Sequence, residues 1–143
     1  MSIVYLGLGS NLGEKEKNIK NAICKIECLI GPVLSVSSFF YSKPWGFESE
    51  NDFVNAVIAV KTEILPLQLL KICKQIESDA GRKPKQSLDY EDRSLDIDIL
   101  IYEGIEMSTE ELTIPHPLIE QRDFVIVPLW QVMKEINKND IRS

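Results

Sequence analysis

The chain has 143 residues, of which 44% are hydrophobic and 27% are charged, and its formal net charge is −6. This size and composition predict one globular domain, spanning residues 1–143, that buries a substantial core. An acidic chain is a poor candidate for general binding of nucleic acid or anionic membranes. We find no apolar stretch of membrane-spanning length and no charged segment before an apolar run, which predicts a cytoplasmic protein.

The N-terminal segment has the pattern of a buried strand, a turn and an amphipathic helix. Residues 3–8 are apolar apart from one glycine, and the following turn, Gly9–Gly13, offers Ser10 or Asn11 as a helix N-cap. The glycine spacing departs from the dinucleotide-binding fingerprint, so we interpret the turn as structural while leaving open that it lines a site. Apolar residues then recur at helical spacing from Glu14 to Ile30.

Two strands and a second helix follow in the pattern. Val33 to Tyr41 and Phe53 to Thr62 read as strands, and Asn55 is a polar exception that requires hydrogen-bond partners when buried. Pro66 suits the first turn of a helix that Gly81 ends.

The strand-like run from Arg93 to Tyr102 carries two carboxylates in its first half. Asp96 and Asp98 alternate with apolar residues, so they share one face of a strand, about 6.5 Å apart at their Cα atoms. Like charges at this spacing repel unless a cation neutralises them. Two interpretations stay open: a magnesium site that holds a phosphorylated substrate, or a half-exposed edge strand with solvated acids. The opposite face carries Leu95, Ile97, Ile99 and Ile101.

Several single residues have both a functional and an ordinary interpretation. Glu77 lies near the C-terminus of the second helix, where the helix dipole disfavours an acid, so it has a positive group or a ligand nearby or is a surface residue. His116 lies between two prolines after a short edge strand at residues 112–114. It is an ordinary surface or packing residue, or it has a role in a site close to the carboxylate strand. Trp45 and Phe47, in a loop, stack on a flat ligand or pack onto the core.

The three cysteines indicate reduced thiols. Cys24 and Cys28 are neighbours on one side of the first helix, and a metal or redox pair there is the less favoured alternative.

The order of elements is strand, helix, strand, strand, helix, strand. This order predicts an α+β fold, a ferredoxin-like βαββαβ sandwich with an antiparallel sheet and two helices on one face. The other face is left for a ligand and for an extra C-terminal strand and helix segment, with a helical pattern in residues 117–134.

Five motifs together resemble one family over nearly the whole chain, the 6-hydroxymethyl-7,8-dihydropterin pyrophosphokinases of folate biosynthesis. The motifs are Gly7–Gly13, Phe53–Ala56, Ile76-Glu77 with Gly81-Arg82, Arg93–Leu100 and Ile114–Pro117. The resemblance implies transfer of pyrophosphate from ATP to the hydroxymethyl group of the pterin, with release of AMP and with two Mg²⁺ ions bound beside ATP. It implies a protein whose partners are these two small molecules rather than nucleic acid or a membrane, and we expect a monomer.

The same resemblance assigns roles to individual residues. Asp96 and Asp98 match the family's metal-binding pair, and Arg82 and Arg93 match arginines that meet the phosphates. The four are the implied catalytic residues. The implied ATP site comprises Glu77, Arg82, Arg93, Ile99, Thr113, His116 and Arg122. The implied pterin site comprises Ser42, Pro44, Trp45, Phe53, Asn55 and Phe124, with the two phenylalanines on either side of the ring.

One segment departs from the family pattern. The loop before Arg93 is acidic from Ser87 to Asp92, where relatives carry a basic and aromatic run, and loops of this length beside charged clusters are often lids. This departure leaves a second hypothesis open, a ferredoxin-like protein that binds nucleotide or pterin without turnover. RNA binding through the sheet is disfavoured because the sheet presents acids instead of basic and aromatic residues.

Overall fold

This computed structural model describes residues 1–43, 52–81 and 94–142. The strands of the main sheet are β1 (Ser2–Ser10), β2 (Val33–Val36), β3 (Phe40–Ser42), β4 (Phe53–Thr62) and β5 (Asp96–Tyr102). A small second sheet consists of β6 (Met107–Ser108) and β7 (Thr113–Ile114). The helices are α1 (Lys15–Leu29), α2 (Pro66–Asp79), a 3₁₀ turn (Ile119–Gln121) and α3 (Asp123–Arg142).

The main sheet is antiparallel, and its central strand β1 determines which residues meet. The strand order is β2-β4-β1-β5, and β3 pairs with β4 beyond the end of β2. The predicted fold class is confirmed. One helix follows β1 and another follows β4 of an antiparallel sheet, as a ferredoxin-like sandwich requires. β4 and β5, which carry Asn55 and the two aspartates, therefore lie on either side of β1.

Apolar residues pack on both faces of the sheet. The larger core cluster includes residues of α1 and α2, and the second cluster includes residues of α3. On β1 the alternation is clear, since Leu6 belongs to the first cluster and Tyr5 to the second. The second cluster contains Tyr5, Val57, Ala59, Leu100, Val125, Leu129, Val132 and Ile136. α3 therefore covers part of the face that the sequence left open for a ligand and a C-terminal segment.

The prediction of Ser10 or Asn11 as the N-cap of the first helix is wrong, because the helix begins later. Ser10 is the last residue of β1, and α1 begins at Lys15. The Ser10 hydroxyl instead accepts a hydrogen bond from Asn18 Nδ2 at 3.3 Å, and the same amide group donates to the Leu12 carbonyl at 3.0 Å. The side chain that organises this turn comes from within the helix.

The predicted second strand, Val33 to Tyr41, is divided into β2 and β3. Ser37 lies in the break, where its N–H donates to Val57 O and its hydroxyl accepts from Val57 N–H, both at 2.9 Å. The next N–H, of Ser38, donates to the side chain of Gln131 on α3 at 2.7 Å. One main-chain bond thus remains at Ser37, but side-chain acceptors replace the rest of the ladder at this point, where β2 ends.

β5 contains an irregularity that changes the face of its last residues. Tyr5 pairs with Ile101 while Leu6 pairs with Ile99, so Leu100 is an extra residue in the ladder. Ile101 consequently packs against the α3-side cluster, and its predicted place beside Ile97 and Ile99 is wrong.

The C-terminal part supplies the predicted strand and helix segment. The short strand β7 pairs with β6 instead of the main sheet. The helical pattern of residues 117–134 corresponds to the 3₁₀ turn and to α3, which extends to Arg142. None of the helices within the described ranges is long and apolar enough to cross a membrane.

The three thiols differ in exposure, which predicts their reactivity. Cys24 and Cys28 are exposed, whereas Cys73 is buried and its burial, with the charges of Glu77 and Asp98, raises its pKa to about 12. Because the thiolate is the reactive form, a thiol reagent at pH 8 should titrate Cys24 and Cys28 rapidly and Cys73 only after denaturation. A control with Cys73→Ala should lose only the denaturant-dependent thiol. Rapid reaction of all three thiols in the folded protein would contradict the assignment.

Candidate active site

One row of residues crosses three strands on the outer face of the sheet, the face that α3 packs against. Gly9 of β1 pairs with Asn55 of β4 on one side and with Asp96 of β5 on the other. The next outward position of β1, Gly7, pairs with Val57 and with Asp98. With neighbouring strands about 4.8 Å apart, Asn55 and Asp96 lie about 10 Å apart at their Cα atoms, with a glycine between them.

Gly9 leaves room between the polar residues of this row. A methyl group at Gly9 would lie 3.4 Å from Asn55 Oδ1 and 3.5 Å from Phe53 Cδ1, which is ordinary contact distance. Any larger side chain would extend into the space between Asn55 and Asp96. The central strand therefore forms the floor of a gap with an amide on one wall and a carboxylate on the other.

Asn55 is held by the neighbouring strand, as its predicted need for partners required. Its Nδ2 donates to the Ser42 hydroxyl at 2.8 Å and to the Phe40 carbonyl at 3.2 Å. These two bonds orient the side chain so that its carbonyl oxygen lies over Gly9. Since Asn55 is 6% exposed and its amide is held by two hydrogen bonds, this oxygen is a fixed acceptor. Ser42 and Phe53, which pair at the end of β3 and β4, complete this wall.

The two carboxylates form the opposite wall. Asp96 and Asp98 are both half-buried and occupy alternate positions of β5, so they point to the same face, as predicted. β5 is also an edge strand of the sheet, so this element of the second interpretation is correct. Within the described ranges, no group of three or more His, Cys, Asp or Glu side chains could hold a metal ion alone. Two carboxylates suit Mg²⁺, which usually takes its remaining ligands from phosphate oxygens and water.

Glu77 supports the strand that carries the aspartates. It is 3% exposed, and its Oε2 accepts a hydrogen bond from the Ile97 N–H at 2.7 Å. Ile97 lies between Asp96 and Asp98, so a carboxylate of α2 pairs with β5 where a further strand would otherwise pair. The position of Glu77 in the helix suggested a positive group or a ligand nearby. In this contact its partner is a main-chain N–H instead.

His116 lies close enough to Asp96 and to Arg122 for both charges to act on it. The His116 N–H donates to Leu100 O of β5 at 2.8 Å, and its Nδ1 accepts from the Leu118 N–H at 3.2 Å. Burial lowers the pKa of His116, the charge of Arg122 lowers it further, and Asp96 opposes the shift. His116 is therefore neutral at pH 7 with its proton on Nε2. The Arg122 guanidinium lies 5.8 Å from the centre of the Phe124 ring, at the start of α3.

The remaining predicted site residues are placed differently. The Ile99 side chain is 3% exposed in the core against α1 and α2, so a ligand could contact only its main chain. In an antiparallel strand, main-chain groups two residues apart point to the same side, so the main chain of Ile99 faces the outer edge of β5, as that of Ile97 does. Thr113 is half-buried in β7. Four predicted site residues lie outside the described residues: Pro44, Trp45, Arg82 and Arg93.

The sequence left open whether the glycine-rich turn, interpreted as structural, also lines a site. The register of Gly9 between Asn55 and Asp96 indicates that Gly9 lines the candidate site. That register depends on which strands are neighbours, which a single sequence does not state.

The fold and the site together define a ferredoxin-like protein with a carboxylate pair across a glycine strand from a buried amide. The profile of the 7,8-dihydro-6-hydroxymethylpterin-pyrophosphokinase family matches residues 5–134. The chain belongs to this family, which confirms the resemblance seen in the sequence motifs.

Named relatives agree with the family assignment. The chain is 42% identical over 134 residues to a 2-amino-4-hydroxy-6-hydroxymethyldihydropteridine pyrophosphokinase of Porphyromonas gingivalis, covering 92% of this chain and 91% of that protein. It is 41% identical over 132 residues to the enzyme of the same name from Aquifex aeolicus, covering 92% of this chain and 81% of that protein. A folic acid synthesis protein of Dictyostelium discoideum is 42% identical over 133 residues, which are 92% of this chain but 20% of that protein.

A solved structure supports the fold. A crystal structure described as HPPK-DHPS in complex with substrates superimposes with a TM-score of 0.71 at 16% identity. The match covers 94% of this chain and 40% of the other, so the similarity concerns one part of a longer protein.

We predict that the Glu77 hydrogen bond stabilises the aspartate strand. Glu77→Leu leaves the buried Ile97 N–H without its carboxylate acceptor, which should lower the free energy of unfolding by about 1–3 kcal/mol in urea titrations. Glu77→Gln keeps an acceptor oxygen of the same reach and should lose less than half as much. Equal stability of Glu77→Leu and the wild type would refute this role.

Proposed function

We propose that this chain transfers the pyrophosphoryl group of ATP to the hydroxymethyl group of 6-hydroxymethyl-7,8-dihydropterin and releases AMP. The observation that supports the proposal is the row of Asn55, Gly9 and Asp96, in which an amide and a carboxylate lie about 10 Å apart with a glycine between them. Membership of the pyrophosphokinase family supports the same reaction.

The pterin ring binds on the Asn55 side of the row. The Asn55 carbonyl accepts a hydrogen bond from the polar edge of the ring, and Phe53 lies against its face. Phe124, Pro44 and Trp45 join this pocket on the strength of the family motifs alone. Gly9 lets the hydroxymethyl group extend across β1 towards the aspartates.

The phosphates bind on the Asp96 side. Asp96 and Asp98 would hold Mg²⁺, and we assign two ions by family resemblance. Bound Mg²⁺ would neutralise charge on the phosphates and favour their in-line orientation. Arg82 and Arg93 are assigned to the phosphates by their motif positions, where a guanidinium can donate two parallel hydrogen bonds.

The rest of ATP lies along the outer edge of β5. Glu77 and His116 bond to this edge at Ile97 and Leu100, and the main chain of Ile99 lies between those two positions. The neutral His116 offers an Nε2–H donor, and Arg122 adds a positive charge beside it. Thr113 of the neighbouring strand β7 completes the assigned nucleotide site.

In the reaction, the hydroxymethyl oxygen of the pterin attacks the β-phosphorus of ATP. The bond between this phosphorus and the oxygen that bridges to the α-phosphorus breaks, and AMP leaves with that oxygen. The hydroxyl proton passes to solvent. The chain contributes by holding the two reactants on either side of Gly9, which makes the encounter effectively intramolecular.

We also propose that the chain acts as a single domain and as a monomer in the cytoplasm. Two exposed free thiols are typical of proteins in a reducing compartment. One sheet contributes to both core clusters, which favours a single folding unit.

Substitution of either aspartate should abolish turnover without unfolding the protein. With ATP, Mg²⁺ and the reduced pterin, the wild type should form AMP and pterin pyrophosphate in equal amounts. Asp96→Asn and Asp98→Asn should each lower kcat by at least about 100-fold, since a lost charge-stabilising group typically costs that much. Asp79→Asn, which removes an exposed carboxylate on α2, serves as the matched control. Absence of AMP above the enzyme-free blank in the wild type would disprove the proposed activity.

Side-chain size at position 9 should determine pterin binding. Gly9→Ala adds a methyl group at contact distance from Asn55 and Phe53, so pterin affinity should stay within about threefold of the wild type. Gly9→Val extends into the gap and should weaken pterin binding by at least about tenfold, with ATP binding less affected. Calorimetric titration measures both, and circular dichroism checks the fold. Wild-type affinity in Gly9→Val would show that the pterin does not cross Gly9.

A further inference from the structure

The first turn of α1 contacts the segments that end at the pterin wall. Lys15 Nζ donates to the main-chain carbonyl of Asp52 at 2.9 Å, and Asp52 immediately precedes Phe53. The carboxylate of Glu16 accepts a hydrogen bond from the Tyr41 hydroxyl, and Tyr41 immediately precedes Ser42. Consecutive residues of one helical turn thus hold the two neighbouring strand ends.

These strand ends are the last rung of the β3–β4 ladder. Ser42 pairs with Phe53, and the preceding Tyr41 pairs with Val54. The Ser42 hydroxyl accepts the hydrogen bond that orients Asn55, so a shift of β3 would move the amide over Gly9. A shift of Asp52 would move the adjoining Phe53 in the same way. The positions of three pterin-wall residues therefore depend on where this rung is held.

A third contact of the same turn reaches the end of β1. Asn18 Nδ2 donates to Ser10 Oγ and Leu12 O, directly after Gly9. All three strands of the pterin side are thus held by side chains of residues 15–18. The hydrogen bond to Glu16 also raises the pKa of the Tyr41 phenol, as expected when a phenol donates to a carboxylate.

The cleft between this turn and the strand ends has a mixed lining that does not favour one ligand charge. It carries Lys15, Lys17 and Lys20 together with Glu14, Glu16 and Asp52. A lining with charges of both signs is consistent with side chains that form contacts between segments of the protein.

We propose that Lys15 and Glu16 are positioning residues for the pterin pocket: they hold the strand ends that carry Phe53 and Ser42 and so determine pterin affinity without touching the pterin. The inference rests on the proposed function, in which Phe53, Ser42 and Asn55 form the pterin wall. It predicts an effect on one substrate only, because neither residue contacts the aspartates or the outer edge of β5 in the contacts described above.

The test removes both donors with the double variant Lys15→Met/Tyr41→Phe. Steady-state kinetics give KM for each substrate. Calorimetry with oxidised 6-hydroxymethylpterin, in the presence of Mg²⁺ and α,β-methylene-ATP, gives the pterin Kd without turnover. We expect the pterin KM and Kd to rise about three- to tenfold, which corresponds to one or two lost hydrogen bonds, with the ATP KM unchanged.

Three variants separate positioning from general stability. Lys15→Arg keeps the donor to Asp52, and Glu16→Gln keeps an acceptor for Tyr41, so both should bind pterin within about twofold of the wild type. Lys17→Met removes an exposed lysine of the same turn and should match the wild type. Lys17 forms a surface ion pair with Glu14 at 3.5 Å, and such pairs contribute little. The melting temperature of the double variant should stay within about 2 °C of the wild type, which corresponds to less than 1 kcal/mol.

The results distinguish the positioning role of Lys15 and Glu16 from the proposed activity of the chain. An unchanged pterin Kd in the double variant, or an equal rise in both KM values, would overturn the positioning role. If the wild type binds pterin but forms no AMP, the proposed activity fails while the Kd comparison still decides the positioning role. If the wild type does not bind the pterin, both proposals fall.

Discussion

The lack of side chains at Gly7 and Gly9 on the outer face of β1 is the constraint on which the site depends. At Tyr5 the same face of β1 carries a ring that packs into the cluster under α3. At Gly9 the face carries only a main chain, with Asn55 and Asp96 on either side. One strand therefore changes from a core element to the floor of the candidate site within four residues. The apolar half stabilises α3, and the glycine half leaves a gap between Asn55 and Asp96.

The helices support this gap from the opposite side of the sheet. α2 reaches the aspartate wall through the Glu77 bond to Ile97, and α1 reaches the wall proposed for the pterin through Lys15 and Glu16. Both contacts are made at strand ends or edges, because the strands themselves separate the helices from the outer face. The packing on one face is thus mechanically connected to the geometry of the site on the other.

Local patterns in the sequence predicted the parts of this arrangement that depend on neighbours along the chain. Alternation placed Asp96 and Asp98 on one face, and the βαββαβ order predicted the sheet and the helix layer. The parts that failed depend on pairing between distant residues. Ile101 changes face because of an extra residue in the β1–β5 ladder, and β2 ends because Ser37 bonds to Val57 through its side chain. The contribution of Gly9 is of the same kind, since it follows from a register across three strands.

The bonds at the outer edge of β5 also bear on how copies of the protein behave at high concentration. An edge strand with open N–H and C=O groups is a template for another strand, and sheets can grow from one molecule to the next at such edges. Here the Ile97 N–H is taken by Glu77, the Leu100 carbonyl is taken by the His116 N–H, and two aspartates add negative charge to the strand. A second β5 would have to displace both partners and accept four carboxylates in close proximity. The groups assigned to nucleotide binding therefore also oppose aggregation through this edge.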